Sequence, residues 1–239
     1  MTRSLGRNTP ADFSHVEAAP LHAASQLLVP KPVTIGVNWY EDFDQPRQTS
    51  DGSWHLPEAH AIRGQIRGGH CITLGPMGFM ATPDKVKFIE ALWRYYNQGP
   101  EGACEGFGHA HAQSIEVGGL YDGFRLYDDA RKIEGTFPSG EGTTNHAAVQ
   151  ALQNVGIAPQ PGTECQREYK GDATYVKPVT DVRWTKDAQE VLTALGRLNA
   201  AAIPLLNSWG LTYPCVVWLP VTTLARLLEE DGEADCCTG

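Results

Sequence analysis

Apolar positions recur with two distinct periods along the chain, and they divide it into a strand-rich start, a helical middle and a mixed end. From Pro32 to Tyr40, Val33, Ile35, Val37 and Trp39 alternate with their neighbours and predict a half-buried strand. Gly69 to Gly75 predicts a second strand, whose successive side chains face opposite ways, so Cys71 points away from His70 and into the core. Thr82-Pro83-Asp84 is a helix start, with Val86, Ile89, Leu92, Trp93 and Tyr96 forming an apolar stripe that Asn97-Gln98-Gly99-Pro100 breaks. Further helices are expected over 103–117, 122–133 and 144–155, the last closed by Gly156. Residues 158–182 read as loop and 185–195 as a helix. Ile203–Asn207 and Cys215–Leu219 read as short strands, and Leu224, Leu227 and Leu228 mark a last helix. Residues 1–29 read as an N-terminal arm. The order is strands, helices, strands, which predicts an α+β fold with a helical part inserted into a β part.

Composition narrows the partners. The chain has 239 residues, 19 of them Lys or Arg and 28 Asp or Glu, for a net charge of −9. Phosphate contacts need clustered cations, so neither nucleic acid nor an anionic membrane is an expected partner. No apolar run approaches the roughly 18 residues of a membrane span. No apolar signal segment follows Met1 to Pro10, and the expected location is the cytoplasm. In that reducing setting the 6 cysteines are expected to be mostly free thiols.

One of them has a setting suited to chemistry. In Gln98-Gly-Pro-Glu-Gly-Ala-Cys104 the cysteine enters a helix after a glycine-bearing turn. Unpaired amides at a helix N-terminus lower a thiol pKa and can hold an oxyanion. The Gln98 amide could donate to the same oxyanion. A thiol nucleophile also needs a base and a group to orient that base. Gly68-Gly69-His70 offers the base and Asn207 the orienting amide, with Trp209 two residues on to shield their hydrogen bond from water.

Gln98…Gly102-Ala103-Cys104, Gly69-His70 and Asn207-Ser208-Trp209-Gly210 resemble the three signature blocks of the papain-like cysteine peptidase superfamily. The stretch Gly142 to Ile157 resembles that family's cleft helix. The resemblance spans about residues 32–230 and is specific only in the short blocks. It implies a papain-like two-lobe fold, with a helical lobe at about 81–160 and a β-barrel-like lobe at about 30–80 and 165–239, in one domain over 30–239. It implies Cys104 as nucleophile, His70 as its ion-pair partner and base, Asn207 as orienting residue and Gln98 in the oxyanion hole. The implied substrate is a protein or peptide, cleaved at a peptide or isopeptide bond without a cofactor or metal.

The family runs Cys, His, Asn, whereas the order here is His70, Cys104, Asn207. That is a circular permutation, and triads are defined by geometry rather than chain order. In this form the chain is similar to proteins of actinobacteria and their phages. Glu105 stands where the family has Trp after the nucleophile, and its carboxylate would raise the Cys104 pKa. A permuted thiol acyltransferase or amidase would use the same groups. A catalytically inactive binding or virion-associated protein would keep the fold alone.

Blander roles compete at each position. Cys104 could be a small buried hydrophobe, His70 a core histidine, Asn207 a turn residue and Gln98 a helix end. Cys236-Cys237, without a nearby His in sequence, makes a poor zinc site and reads as a surface pair. His109 and His111, two apart on a helix, diverge and cannot share one metal. His146 reads as a capping or solvent residue, and Glu229-Glu230-Asp231 as a solvated helix end.

Overall fold

A computed structural model describes residues 29–171, 174–176 and 179–238. The expected arm over 1–29 lies outside them apart from Val29. Along the chain come β1 (Val33–Tyr40), β2 (Arg47–Gln48), β3 (Trp54–His55), β4 (Ile66–Leu74), α1 (Pro83–Tyr95), α2 (Cys104–Val117), α3 (Gly123–Glu134) and α4 (Asn145–Asn154). There follow β5 (Asp181–Thr185), α5 (Ala188–Ala194), β6 (Ala202–Leu206), β7 (Val217–Pro220), α6 (Val221–Glu229) and β8 (Glu233–Thr238). The mixed α+β order expected from the hydrophobic pattern is therefore present. Among the described residues no helix is long and apolar enough to cross a membrane.

The strands form one sheet in the order β2-β3-β7-β6-β4-β1-β8-β5, with β2 and β5 at its edges. Its centre is the antiparallel pair β1–β4, in register from Val33 opposite Leu74 to Trp39 opposite Gly68. Val37 stands opposite His70. On one face Ile35, Val37, Trp39, Ile72, Leu74, Ile203 and Leu205 pack with Val191 and Leu195 near α5 and with Leu224 and Leu227 of α6. The other face carries α2. Thr73 Oγ1 donates to the Gly108 carbonyl at 2.7 Å. A Cβ on Gly108 would lie 2.5 Å from Cys71 Sγ, so the absent side chain is what lets helix and sheet meet. With both faces covered, β1 is mostly buried on both sides rather than half-buried, and Cys71 is fully buried as expected.

The helices start where short polar side chains satisfy their free amides. Thr82, Asp122 and Thr144 cap α1, α3 and α4 by accepting from the backbone N–H three residues on. A second apolar cluster joins Leu92, Tyr95, Tyr96, Phe107, Phe124, Tyr127, Ala148 and Leu152 among α1 to α4.

The end of the chain departs from expectation. Asp181–Thr185 is a strand, paired with β8 through five residue pairs from Asp181–Thr238 to Thr185–Ala234. The following helix starts only after Asp187, which caps it by accepting from Gln189 N–H at 2.6 Å. Cys236 and Cys237 are not a surface pair. They lie in β8, and Cys237 is 6% exposed. Glu230 is not merely solvated, since its carboxylate accepts from Tyr40 Oη at 2.5 Å and Arg226 Nε at 2.7 Å.

Candidate active site

β4 carries His70 and the end of β6 carries Asn207, two strands that pair at Thr73–Leu206 and Leu74–Leu205. That pairing brings the two side chains together. His70 Nε2 lies 2.9 Å from Asn207 Oδ1, with Nε2–H as donor because Oδ1 can only accept. The same Oδ1 also accepts the Ser208 N–H at 2.7 Å. The Asn207 Nδ2 group is left without a partner. The bond to Asn207 sets the neutral tautomer of His70, leaving Nδ1 as its free acceptor.

The imidazole packs against two indoles that also touch each other. Trp39 meets it edge-on with ring centroids 4.7 Å apart, and Trp209 lies at 5.0 Å. The two indoles are 5.4 Å from each other. Burial pushes His70 down to about 4, against the bond to Asn207, which acts in the opposite direction. Trp39 is the site residue that the sequence did not single out. Its place over His70 depends on the β1–β4 register, which alternation alone does not specify.

Cys104 is the first residue of α2 and is 4% exposed. Burial and then the neighbouring Glu105 charge push its thiol up to about 12, although the N–H groups of Cys71, Glu105 and Cys104 itself favour the thiolate. The Cys71 amide places this sulfur against the His70–Cys71 segment of β4. The thiol is pushed up and the imidazole down, so burial holds both groups in their neutral forms and works against the expected ion pair.

Gln98 is tied to the Asn207 block through its backbone, donating N–H to the Ser208 carbonyl at 2.9 Å. Its Nε2 donates to the Glu101 carbonyl at 2.8 Å, which occupies one of its two N–H bonds. Beyond Trp209, a groove of about 630 Å³ is lined by Trp54, Trp93, Leu211, Tyr213 and Trp218.

Glu105 faces the core rather than solvent. It is 7% exposed and burial pushes it up to about 7, with His109 opposing that shift. His109 and His111 diverge as expected. His109 turns toward Asp235 of β8, and His111 packs edge-on against Tyr96 with centroids 4.3 Å apart. His146 is exposed on α4 with its Nε2 2.9 Å from Gln150 Nε2. All six cysteines are free thiols.

No family model matches the sequence, and no curated protein matches it. Among solved structures, xylellain, a cysteine protease from Xylella fastidiosa, is similar over 61% of this chain and 82% of its own, at 15% sequence identity and a TM-score of 0.47.

Proposed function

We propose that this chain is a papain-like thiol hydrolase of permuted connectivity that cleaves a peptide or isopeptide bond. The observation that carries the reading is the buried His70–Asn207 bond at 2.9 Å, packed against Trp209, with the Cys104 thiol at the start of α2 reached by the N–H of Cys71, the residue after His70. Base and orienter are connected as a cysteine hydrolase requires, and the third group enters from a separate element.

The chemistry follows from the free atoms. As the Cys104 sulfur bonds to the substrate carbonyl carbon, its proton passes to His70 Nδ1, the ring atom that Asn207 leaves open. The resting neutral pair makes this a general-base step rather than attack by a preformed thiolate. The carbonyl oxygen takes up the negative charge and is held by the Cys104 N–H and the remaining N–H of Gln98 Nε2. Collapse breaks the bond to nitrogen, and the leaving amine takes the proton from His70. Water then gives a proton to His70 and attacks the thioester. The acid departs, and the proton returns to the Cys104 sulfur.

The test is turnover of a peptide library by the parent and by Cys104→Ala, with hydroxylamine in a parallel arm. Peptide products from the parent alone support hydrolysis. Hydroxamate in preference to acid shifts the reading to acyl transfer. No product from the parent under either condition overturns the enzyme reading in favour of a binding module.

A further inference from the structure

On the α2 side of the sheet, away from the His70 imidazole, five ligand-bearing side chains are buried together. Cys71, Glu105 and His109 form one triple and His109, Asp235 and Cys237 another, with the ligand atoms in each within 4.8 Å of one another. His109 and Asp235 are each 1% exposed. His109 Nε2 and Asp235 Oδ2 are buried facing each other at 3.3 Å with no further partner, and Glu105 Oε2 is buried without a hydrogen-bond partner. Unsatisfied polar atoms of this kind are costly and call for an occupant.

The histidine is oriented as a metal ligand. Its Nδ1 lies 2.8 Å from the Glu105 carbonyl oxygen, so Nδ1 carries a hydrogen and Nε2 is the ring atom that faces Asp235 and is placed to bind a metal once it gives up its proton. A hydrogen bond from the second ring nitrogen to a backbone carbonyl is the usual support of a metal-bound imidazole. Nε2 stands 3.3 Å from Asp235 Oδ2. Tetrahedral ligands bound at about 2.0–2.1 Å stand about 3.3–3.4 Å apart, so the two atoms already have the spacing of one edge of a zinc site. The Cys237 thiol is 3.1 Å from the other Asp235 oxygen.

We propose that His109, Asp235 and Cys237 bind a structural Zn²⁺. On binding, the Cys237 thiol and His109 Nε2 each release a proton to solvent as the Zn–S and Zn–N bonds form, and no electron is transferred. The thiolate and the Asp235 carboxylate offset the charge of the ion in a site without solvent. The metal would join β8 to α2, and so fix the helix that begins at Cys104 from its rear. Cys237 thus finds its histidine partner through the fold, 128 positions away in the chain, rather than in the neighbouring sequence.

The test uses the full chain as Cys104→Ser, which removes the thiol of the proposed catalytic site as a competing zinc ligand, while Cys71 stays in place and Cys237→Ser tells the two cluster thiols apart. The protein is produced with added zinc, desalted and analysed for metal content. One zinc per chain is expected, and Cys237→Ser or Asp235→Asn in that background should weaken retention by at least about tenfold. X-ray absorption at the zinc edge needs no cluster variant, and should show one sulfur at about 2.3 Å with nitrogen and oxygen at about 2.0–2.1 Å. Metal-free protein, retention unchanged in both variants that fold, or a zinc shell without sulfur would overturn the site. A metal-free result would leave the cluster as a buried imidazolium–carboxylate pair, and the proposed hydrolysis, which uses neither Asp235 nor Cys237, would stand or fall separately.

Discussion

His70 and Asn207 are 137 positions apart in sequence, yet their side chains share a hydrogen bond of 2.9 Å from which water is shut out by Trp39 and Trp209. The bond orients the imidazole and favours its charged form, but too weakly to offset burial. Asn207 offers a dipole rather than a charge, and the desolvation of a fully enclosed ring outweighs it.

Acid should therefore destabilise the protein through His70. Its folded pKa, at about 4, lies below the ordinary 6.5 of an exposed histidine. The unfolded chain binds the proton more readily, so the contribution is fully present above pH 6.5 and is lost as pH falls toward 4. By linkage the loss is on the order of 3 kcal/mol. Melting temperature measured from pH 7 to 4 should fall more steeply in the parent than in His70→Gln. Parallel curves would show that His70 is solvated or already charged.

Replacing the dipole by a charge should reverse that preference. In Asn207→Asp, one carboxylate oxygen can still accept from both His70 Nε2 and Ser208 N–H, and the unpartnered amide is gone. A buried carboxylate beside the ring should raise the His70 pKa by about 1–3 pH units. Imidazole chemical shifts followed against pH would read this directly. In turnover, Asn207→Ala should lose on the order of 10²-fold, and Cys104→Ala or His70→Ala substantially more, because nucleophile and base act as a unit. Asn207→Ala as active as the parent would make Asn207 a turn residue only.

Local chemistry made much of this arrangement readable before any coordinates. The caps at Thr82, Asp122 and Thr144 announce their helices, and the break at Asn97–Pro100 isolates Cys104 at the next start. Cys71 follows from period-two alternation alone. What could not be read depends on register and on partners far away in sequence. β5 has a weak apolar pattern because it is an edge strand, and it becomes a strand only by pairing with β8. Cys237 looked superficial because nothing nearby in sequence covers it, whereas its cover comes from α2 and β5. The ion pair expected between Cys104 and His70 followed from residue types, which carry no information about how deeply both groups are buried.

The approach of α2 to α3 makes a separate stability prediction. A Cβ added at Gly106 would lie 2.2 Å from the Gly123 carbonyl oxygen and 2.7 Å from Tyr127 N, both backbone atoms that cannot rotate away. Gly106→Ala should cost toward the upper end of the roughly 1–3 kcal/mol typical of overpacking. That corresponds to a fall in melting temperature of roughly 6–12 °C in a chain of this size. Gly135→Ala is the control. Its φ of +73° is strained for alanine, but nothing lies within 4 Å. Its cost should be about 1–2 kcal/mol, the ordinary penalty of a left-handed residue. Equal melting temperatures for the two variants would mean that the helices do not approach so closely.

The neutral resting pair can be tested at the sulfur itself. An ion-paired thiolate would react with iodoacetamide at a rate that stays high well below the ordinary thiol range of about 8.5. Burial pushes Cys104 up to about 12, and the adjacent Glu105 charge pushes the same way. Labelling of Cys104, mapped by peptide mass and measured in the presence of a chelator, should instead keep rising through the alkaline range without a plateau at low pH. Glu105→Gln removes the negative charge while keeping a similar shape. It should speed Cys104 labelling at a fixed pH above 7, because Glu105 itself is ionised only above its own raised value of about 7. Below that pH the carboxyl is already protonated, and the two proteins should label at nearly the same rate. The difference between them should therefore open as pH rises through 7. A plateau below pH 7 in the parent would restore the ion pair, and a rate difference independent of pH would show that Glu105 acts on the thiol through packing rather than charge.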